Sequence, residues 1–218
     1  MTAMRTLIGV YGASGCGRGI MPLLSASIQL DETQLVFIDD ELAGTKVNGY
    51  DVLNWIDYLN YPIEEKKACL AIANSSIRQR LDRKCNKAGI EVIGVSAGNV
   101  VTMDEIELAP GALLSAFVTL ASNIKIGRCF HANLYSYVEH DCVIGDYVTF
   151  APGVKCNGNV HIEDHAYIGT GAILKQGRPG APLTIGRGAV VGMGAVVTKD
   201  VAQGATVVGN PAKPLVRS

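Results

Sequence analysis

The second half of the chain repeats apolar residues with a period of six. Every sixth residue from Leu108 to Leu174 is apolar, and a second series, from Ala112 to Ala172, is apolar at ten of its eleven positions. A six-residue period with two inward positions fits neither an α-helix nor a flat strand. It predicts a solenoid of short strands with three hexapeptides in each coil, so that residues eighteen apart lie one above the other.

The first hundred residues follow a different pattern, in which apolar strands alternate with helices. We expect a Rossmann-like parallel-sheet domain over residues 1–100 and a parallel β-helix over residues 101–218. The strands are expected at Thr6–Tyr11, Leu35–Ile38, Ala68–Ala73 and Glu91–Val95, and the helices at Ile20–Ser27 and Ser76–Ala88.

The six-residue repeat breaks once, in a segment rich in glycine and proline. It runs from Lys175 to Thr184, and the repeat resumes in a shifted phase at Ile185. We interpret the segment as a loop extruded from one coil, and as a candidate cover over a neighbouring active site. Its deletion is then expected to weaken substrate binding without unfolding the solenoid.

Composition and charge exclude several classes of partner. The formal net charge of −1 gives no electrostatic footprint for nucleic acid. The longest apolar runs are far too short to cross a bilayer, and no signal peptide is expected. Six cysteines occur without a Cys-x-x-Cys pair, which favours a reducing, cytoplasmic location without disulfides.

The repeat predicts that His140 points outward. It follows the inward Val138 by two residues, and the small residues Ser122 and Gly158 stack on either side of it. Acidic residues flank it directly, and a carboxylate bonded to one imidazole nitrogen raises the basicity of the other. His140 is therefore a candidate general base, and the alternative is a solvated surface histidine. The other histidines are expected to be surface or coil residues: His131, His161 and His165.

Two features of the first half are compatible with a nucleotide site. The glycine-rich turn Gly12–Gly19 precedes a predicted helix, whose N-terminus suits a diphosphate. Asp39 and Asp40 end a strand, where a carboxylate accepts hydrogen bonds from a base or a ribose. The glycine-rich turn is a weak signal alone, because its spacing is not Gly-x-Gly-x-x-Gly. The alternatives are a tight strand-to-helix turn for the glycines and a solvated turn for the two aspartates.

Several motifs resemble a known enzyme family. The repeats that begin at Ile144, Ile168 and Ile185, and the closing Gly-Asn-Pro-Ala-Lys, resemble the left-handed β-helix acyltransferases. Four further motifs are similar to those of nucleotide-sugar N-acetyltransferases of the bacillosamine and perosamine type, to which sialic-acid O-acetyltransferases are related: Tyr11-Gly-Ala-Ser-Gly-Cys-Gly, Ile38-Asp-Asp, Ala71-Ile-Ala-Asn and Val138-Glu-His-Asp-Cys-Val-Ile-Gly.

The resemblance implies an acetyl-CoA-dependent N-acetyltransferase without a metal. The acceptor it implies is the 4-amino group of a UDP-linked 4-amino-4,6-dideoxy-N-acetylglucosamine. It also implies a homotrimer with acetyl-CoA between neighbouring β-helices. GDP-perosamine as the acceptor, and O-acetylation of a sialic acid or a related sugar, remain the alternatives.

The resemblance also assigns roles to individual residues. His140 takes the proton with Asp141 and Glu139 beside it, and Asn133 is a candidate to hold the oxyanion. The relatives carry Glu in place of Asp141, so we expect the contact of Asp141 with His140 to be longer or absent. They often carry His in place of Cys16, which puts a diphosphate contact there in doubt.

The remaining assignments are Ser14, Gly15, Cys16, Asp39, Asp40 and Ala73 for the nucleotide sugar, and Thr149, Gly158, Thr170 and Met193 for acetyl-CoA. Lys213 either meets a CoA phosphate or is a solvated tail residue.

Two other classes of protein remain open at this stage. Some β-helix trimers are zinc lyases with three histidines, and His161 and His165 are four residues apart, but no third ligand is evident. A β-helix can also serve assembly without catalysis. The first half of the chain, with its glycine-rich turn, argues against that class, since a purely structural β-helix has no need of a nucleotide pocket.

Overall fold

The computed structural model describes residues 5–28 and 32–215. Residue contacts divide the chain into two compact units, Met1–Ser96 and Ala97–Ser218. The sequence pattern had placed the division after residue 100. The two units differ in their secondary structure: the first contains helices and strands, and the second consists of short strands and turns.

The first unit is a parallel sheet with helical connections, as predicted. Its sheet order is β3-β4-β2-β1-β5-β6, and every pair is parallel except β3 with β4. The strands are β1 Thr6–Tyr11, β2 Thr33–Ile38, β3 Lys46–Val47, β4 Tyr50–Leu53, β5 Glu65–Leu70, β6 Glu91–Val92 and β7 Val95–Ser96; the helices are α1 Gly15–Ser27, α2 Trp55–Leu59 and α3 Ser75–Lys87.

The first helix begins earlier than the sequence pattern predicted. Glycines favour turns over helices, so the start was expected at Ile20, but α1 begins at Gly15. Gly17 lies inside this helix because the helix packs on the backbone of the preceding turn. A Cβ at position 17 would overlap the carbonyl oxygen of Gly12. Here close packing outweighs the low helix propensity of glycine.

Other boundaries of the first unit also differ from the prediction. Strand β5 runs from Glu65 to Leu70 instead of Ala68–Ala73, because all six of its residues pair in parallel with β1, from Thr6 with Glu65 to Tyr11 with Leu70. The β3–β4 hairpin was missed altogether. Its turn is Asn48-Gly49, both with positive φ, which is a strong hairpin signal in a sequence.

The second unit is a parallel β-helix with three strand columns. Strands eighteen residues apart pair in parallel, as the period of six predicted; Leu113 pairs with His131, and His131 with Thr149. The strands are β8 Val101–Thr102, β9 Ile106–Leu108, β10 Leu113–Leu114, β11 Thr119–Leu120, β12 Ile124–Ile126, β13 His131–Ala132, β14 Tyr137–Val138, β15 Val143–Ile144, β16 Thr149–Phe150, β17 Lys155–Cys156, β18 Val160–Ile162, β19 Tyr167–Ile168, β20 Ile173–Leu174, β21 Leu183–Ile185, β22 Val190–Val191, β23 Val196–Val197, β24 Thr206–Val208 and β25 Lys213–Pro214.

Both apolar series point into the core of the β-helix, which includes Cys142 and Cys156. Ser136, the polar exception, is buried as well; its hydroxyl donates to the carbonyl of Ala151 and accepts the N–H of Val154. Leu108 was predicted to be inward and is 40% exposed. It lies in β9, the end strand of its column, so no coil covers it from below.

The corners of the coils contain one left-handed residue in every hexapeptide. From residue 105 to residue 171 the positive-φ positions recur every six residues. Only three of these twelve positions are glycine, so most corners impose the left-handed conformation on other residue types. Asp141 occupies one of them with a φ of 58°. The backbone of the coil therefore fixes the direction in which its carboxylate leaves the chain.

The predicted extruded loop is an insertion of five residues. Val160 pairs with Leu183, twenty-three residues further along, where an unbroken repeat would have eighteen. The extra residues leave the β-helix between β20 and β21. The regular stacking continues on the other side, since Ile173 pairs with Val196 in the next coil.

Candidate active site

Most of the predicted catalytic residues lie at one corner of the β-helix. This corner follows β14 and holds Glu139, His140 and Asp141, with Ser122 one coil below and Gly158 one coil above; we call it the histidine corner. Backbone hydrogen bonds fix the stacking, because Asp141 N donates to Ser122 O and Asn159 N to His140 O. The small neighbours predicted from the repeat are therefore in place.

His140 and Asp141 form a direct hydrogen bond. The Nδ1 atom of His140 lies 2.7 Å from Oδ2 of Asp141. We had expected this contact to be longer or absent, because aspartate is one methylene shorter than glutamate. The backbone at Asp141 is left-handed, with a φ of 58°, and in this conformation the aspartate carboxylate reaches Nδ1 without the additional methylene. The bond leaves Nε2 as the nitrogen free to take a proton from a substrate.

The acidic neighbours raise the pKa of His140 above 6.5, its ordinary value. The hydrogen bond with Asp141 is the largest cause; burial, the next in size, lowers the pKa, and the negative charges of Asp141 and Glu139 raise it. The side chains of His140 and Asp141 are 44% and 51% exposed, so solvent screens this pair. The imidazole is consequently a stronger base that substrate can still reach.

Gly158 provides space for the imidazole ring. A Cβ at this position would lie 2.6 Å from both Cε1 and Nε2 of His140, closer than any normal contact. The reactive nitrogen therefore faces the backbone of the next coil at a point without a side chain. The resemblance had assigned Gly158 to acetyl-CoA, and a thioester that passes over this glycine would run beside Nε2.

The other assigned residues of the β-helix lie at a different corner. Asn133, Thr170 and Met193 occupy the corner that follows the column of β13, β19 and β22, which we call the threonine corner. Thr170 and Met193 are in adjacent coils, since Gly194 N donates to the carbonyl of Thr170. Within one chain, the structure does not bring this group together with His140. Thr149 is buried in β16 and also lies outside the histidine corner.

Asn133 makes a hydrogen bond within the β-helix. Its Nδ2 atom donates to the carbonyl of Phe150 at 2.8 Å, and its backbone N–H donates to the same carbonyl. Asn157 repeats this arrangement at the histidine corner, one coil above Glu139, with the carbonyl of Leu174. This use of the amide is structural, and one N–H of the Asn133 side chain is left for an oxyanion.

The glycine-rich turn of the first unit leads directly into α1. Ser14 is the N-cap residue of this helix and is exposed, with no capping hydrogen bond from its side chain. Gly15 has open space where a side chain would be. Cys16 is partly buried, and burial raises the pKa of its thiol, while the charge of Arg78 opposes the rise. These three residues present an open helix N-terminus, the geometry that suits a diphosphate.

Asp39 and Asp40 hold the backbone around this turn. Asp39 accepts the N–H of Ala13 at 3.0 Å and of Glu41 at 3.1 Å. Asp40 accepts the N–H of Trp55 at 2.9 Å. Each carboxylate therefore has a structural role that sequence reasoning did not foresee.

A buried arginine, which the sequence pattern did not predict, lies beneath Ala73. Arg78 is fully buried in α3, and its Nη1 donates to the carbonyl oxygens of Ile72 and Ala73 at 2.7 and 3.3 Å. It thus orders the loop that exposes Ala73. His131 was another miss; expected at the surface or in a coil, it is buried in β13.

Within the described residues there is no group of three or more His, Cys, Asp or Glu side chains arranged to hold a metal ion. The helices of the same part of the chain include none that is long and apolar enough to cross a membrane.

Comparison with known proteins gives consistent matches. Residues 7–85 match the family model of the PglD N-terminal domain. The chain is 53% identical to GDP-perosamine N-acetyltransferase of Escherichia coli O157:H7, over 97% of both sequences. The structure of WeeI from Acinetobacter baumannii AYE is 57% identical, with a TM-score of 0.93 over 96% of this chain and 100% of that one. The acetyltransferase domain of PglB from Neisseria gonorrhoeae FA1090, in complex with acetyl coenzyme A, is 30% identical, with a TM-score of 0.85 over 97% and 100%.

These matches confirm the predicted fold class, a Rossmann-like parallel sheet followed by a left-handed parallel β-helix. They also confirm acetyl-CoA as the co-substrate. The chain belongs to the hexapeptide-repeat sugar N-acetyltransferases, enzymes that transfer an acetyl group from acetyl-CoA to an amino sugar.

Proposed function

We propose that this enzyme acetylates the 4-amino group of a nucleotide-linked 4-amino-4,6-dideoxy sugar, with GDP-perosamine as the first candidate. The observation that carries the chemistry is the 2.7 Å contact between His140 and Asp141 beside Gly158. The observation that favours a GDP-linked acceptor is the 53% identity to a GDP-perosamine N-acetyltransferase over almost the whole chain.

In the proposed reaction His140 is the general base. The amine nitrogen attacks the acetyl carbonyl of acetyl-CoA while Nε2 takes one amine proton. The tetrahedral intermediate then collapses, the carbon–sulfur bond breaks, and the CoA thiolate takes the proton back from the imidazolium. Asp141 holds Nδ1–H and stabilises the positive charge on the ring, and Glu139 adds to that stabilisation by its charge. The remaining N–H of Asn133 is the proposed donor to the oxyanion.

The division of the site between two corners supports a homotrimeric enzyme. Asn133, Thr170 and Met193 lie at the threonine corner, whereas His140 and Gly158 lie at the histidine corner of the same chain. A groove between neighbouring β-helices brings the threonine corner of one copy to the histidine corner of the next. Acetyl-CoA then contacts both corners at once, and Asn133 serves the His140 of a neighbour.

The proposed nucleotide site is the open end of α1. Ser14, Gly15 and Cys16 are available to the diphosphate, and Ala73 lies on the loop that Arg78 orders. The remaining lone pairs of the Asp39 and Asp40 carboxylates are proposed to accept hydrogen bonds from the nucleoside. Since none of the six cysteines, all within the described residues, forms a disulfide bond, the proposed location is the reducing cytoplasm.

The experiment measures the release of CoA thiol with a panel of acceptors at fixed acetyl-CoA. The panel contains GDP-perosamine, the UDP-linked 4-amino-4,6-dideoxy-N-acetylglucosamine, and free sialic acid. We expect the highest kcat/KM with GDP-perosamine. A higher kcat/KM with the UDP sugar would change the proposed nucleotide from GDP to UDP. Release of CoA thiol with sialic acid alone would overturn N-acetylation as the reaction.

A further inference from the structure

The inserted loop Lys175–Thr184 leaves the β-helix at the histidine corner. Gly177 N donates to Gly158 O at 2.9 Å, just as Asn159 N donates to His140 O one coil below. The base of the loop is therefore two coils above His140, a rise of about 10 Å at the usual spacing of parallel strands. Any donor whose thioester lies at Nε2 can extend along this corner toward the loop.

The loop is held in one conformation by its own backbone. Arg178 and Ala181 exchange two backbone hydrogen bonds of 3.0 and 2.9 Å around Pro179-Gly180. Gly180 has a φ of 75°, as the third position of a type II turn requires. At its base, Gly177 packs so closely on the carbonyl of Asn159 that a Cβ would overlap it. The five inserted residues are thus preorganised.

A cationic cleft lies between this loop and the next coil. It encloses about 410 Å³, and its charged lining residues are Lys175, Arg178, Lys199 and Asp200. The three cations are exposed, and in the part of the chain that the structure describes none of them has an ion pair. The one carboxylate, Asp200, accepts the backbone N–H of Thr184 at 2.8 Å. Three positive groups around a concavity favour an anionic ligand.

We propose that this cleft, which we call the loop cleft, binds the 3′-phosphate of acetyl-CoA. The proposal rests on the proposed function, because it takes acetyl-CoA as the ligand whose thioester reaches His140. The pantetheine arm is a long flexible chain, and a fixed nucleotide end converts it into an oriented one. Arg178 provides a planar fork that matches a phosphate, while Lys175 and Lys199 provide point charges.

The first test compares acetyl-CoA with acetyl-3′-dephospho-CoA as donors. In the wild-type enzyme we expect the KM of the dephospho donor to be roughly tenfold higher, with a similar kcat. Lys175→Ala/Arg178→Ala should raise the KM of acetyl-CoA by a similar factor but barely change that of the dephospho donor. The control is Lys125→Ala, which removes an exposed lysine of β12 that pairs with Glu107; it should leave both KM values unchanged.

Two kinetic outcomes would overturn the proposal. Equal KM values for the two donors in the wild type would show that the 3′-phosphate makes no contact. A rise in the KM of the sugar alone in the double variant would assign the loop cleft to the diphosphate of the acceptor.

A second test does not depend on acetyl transfer. Calorimetry measures the binding of CoA and of 3′-dephospho-CoA to the wild type and to the double variant, with no sugar present. We expect the variant to lose the preference for CoA that the wild type shows. This arm remains informative even if no amino sugar is acetylated, so failure of the proposed function and failure of the loop cleft give different results. Retention of the CoA preference in a folded variant would overturn the assignment.

Discussion

The first unit, which we call the sheet unit, and the β-helix each contain a glycine at which an added Cβ would displace a neighbouring atom. Gly17 packs on the carbonyl oxygen of Gly12, a contact within one strand-to-helix turn. Gly158 packs on the imidazole of His140, eighteen residues earlier in the chain. The first glycine permits close packing of backbone, whereas the second leaves room for a reactive side chain. The same residue type thus serves stability in one region and chemistry in the other.

The two regions also differ in how acidic residues are used. In the sheet unit, Asp39 and Asp40 accept backbone N–H groups and hold a turn together. In the β-helix, Asp141 accepts from an imidazole and changes its basicity. Substitution of Asp39 or Asp40 should therefore lower stability as well as nucleotide binding, and substitution of Asp141 should change turnover first.

The largest expected effect is the loss of the base itself. His140→Ala should lower kcat by roughly 10² to 10⁴ fold, the usual contribution of a general base. The residue is partly exposed, so its removal should leave the β-helix folded, with the same oligomeric state by light scattering and the same Tm. Turnover close to that of the wild type would exclude His140 as the base.

The next effect is expected from Gly158→Ala. The new methyl group would lie 2.6 Å from Cε1 and Nε2, so the ring must move. A displacement of this size should lower kcat by about a hundredfold, because reaction geometry is lost. The matched control is Gly98→Ala, where the same methyl group enters open space. If Gly158→Ala retained full kcat, the position of the ring would not matter to the reaction.

In the sheet unit, Gly17→Ala should lower the free energy of unfolding by about 1–3 kcal/mol, the usual effect of overpacking. The obstacle is a backbone oxygen, which cannot rotate away as a side chain would. Gly19→Ala, in the same helix but facing open space, should instead raise stability by about 0.5–1 kcal/mol. Chemical denaturation of both variants measures this difference. Equal effects would contradict the close packing at Gly17.

The smallest effect is a shift in the pH profile. Asp141→Asn removes the hydrogen-bonded charge that raises the pKa of His140, so that pKa should fall. The base acts in its unprotonated form, and the acid limb of kcat/KM against pH should therefore move to lower pH. Glu139→Gln should give a smaller shift in the same direction, since Glu139 acts by charge alone. An unchanged acid limb in Asp141→Asn would mean that Asp141 does not tune the base.

The sequence by itself determined the β-helix and the neighbours within it. A period of six fixes which residues point inward and which lie eighteen apart, so Ser122 and Gly158 could be placed beside His140 before any coordinates. The extruded loop was visible for the same reason, since five extra residues shift the phase of a regular pattern. In a periodic structure, a fixed separation along the chain predicts which residues are neighbours in space.

Only the tertiary structure decided the contacts that have no period. The start of α1 at Gly15, the bonds of Asp39 and Asp40 to backbone, and the buried Arg78 depend on packing between elements far apart in the sequence. The direct bond between Asp141 and His140 was also missed. It depends on the backbone conformation at that corner, which side-chain length alone does not reveal.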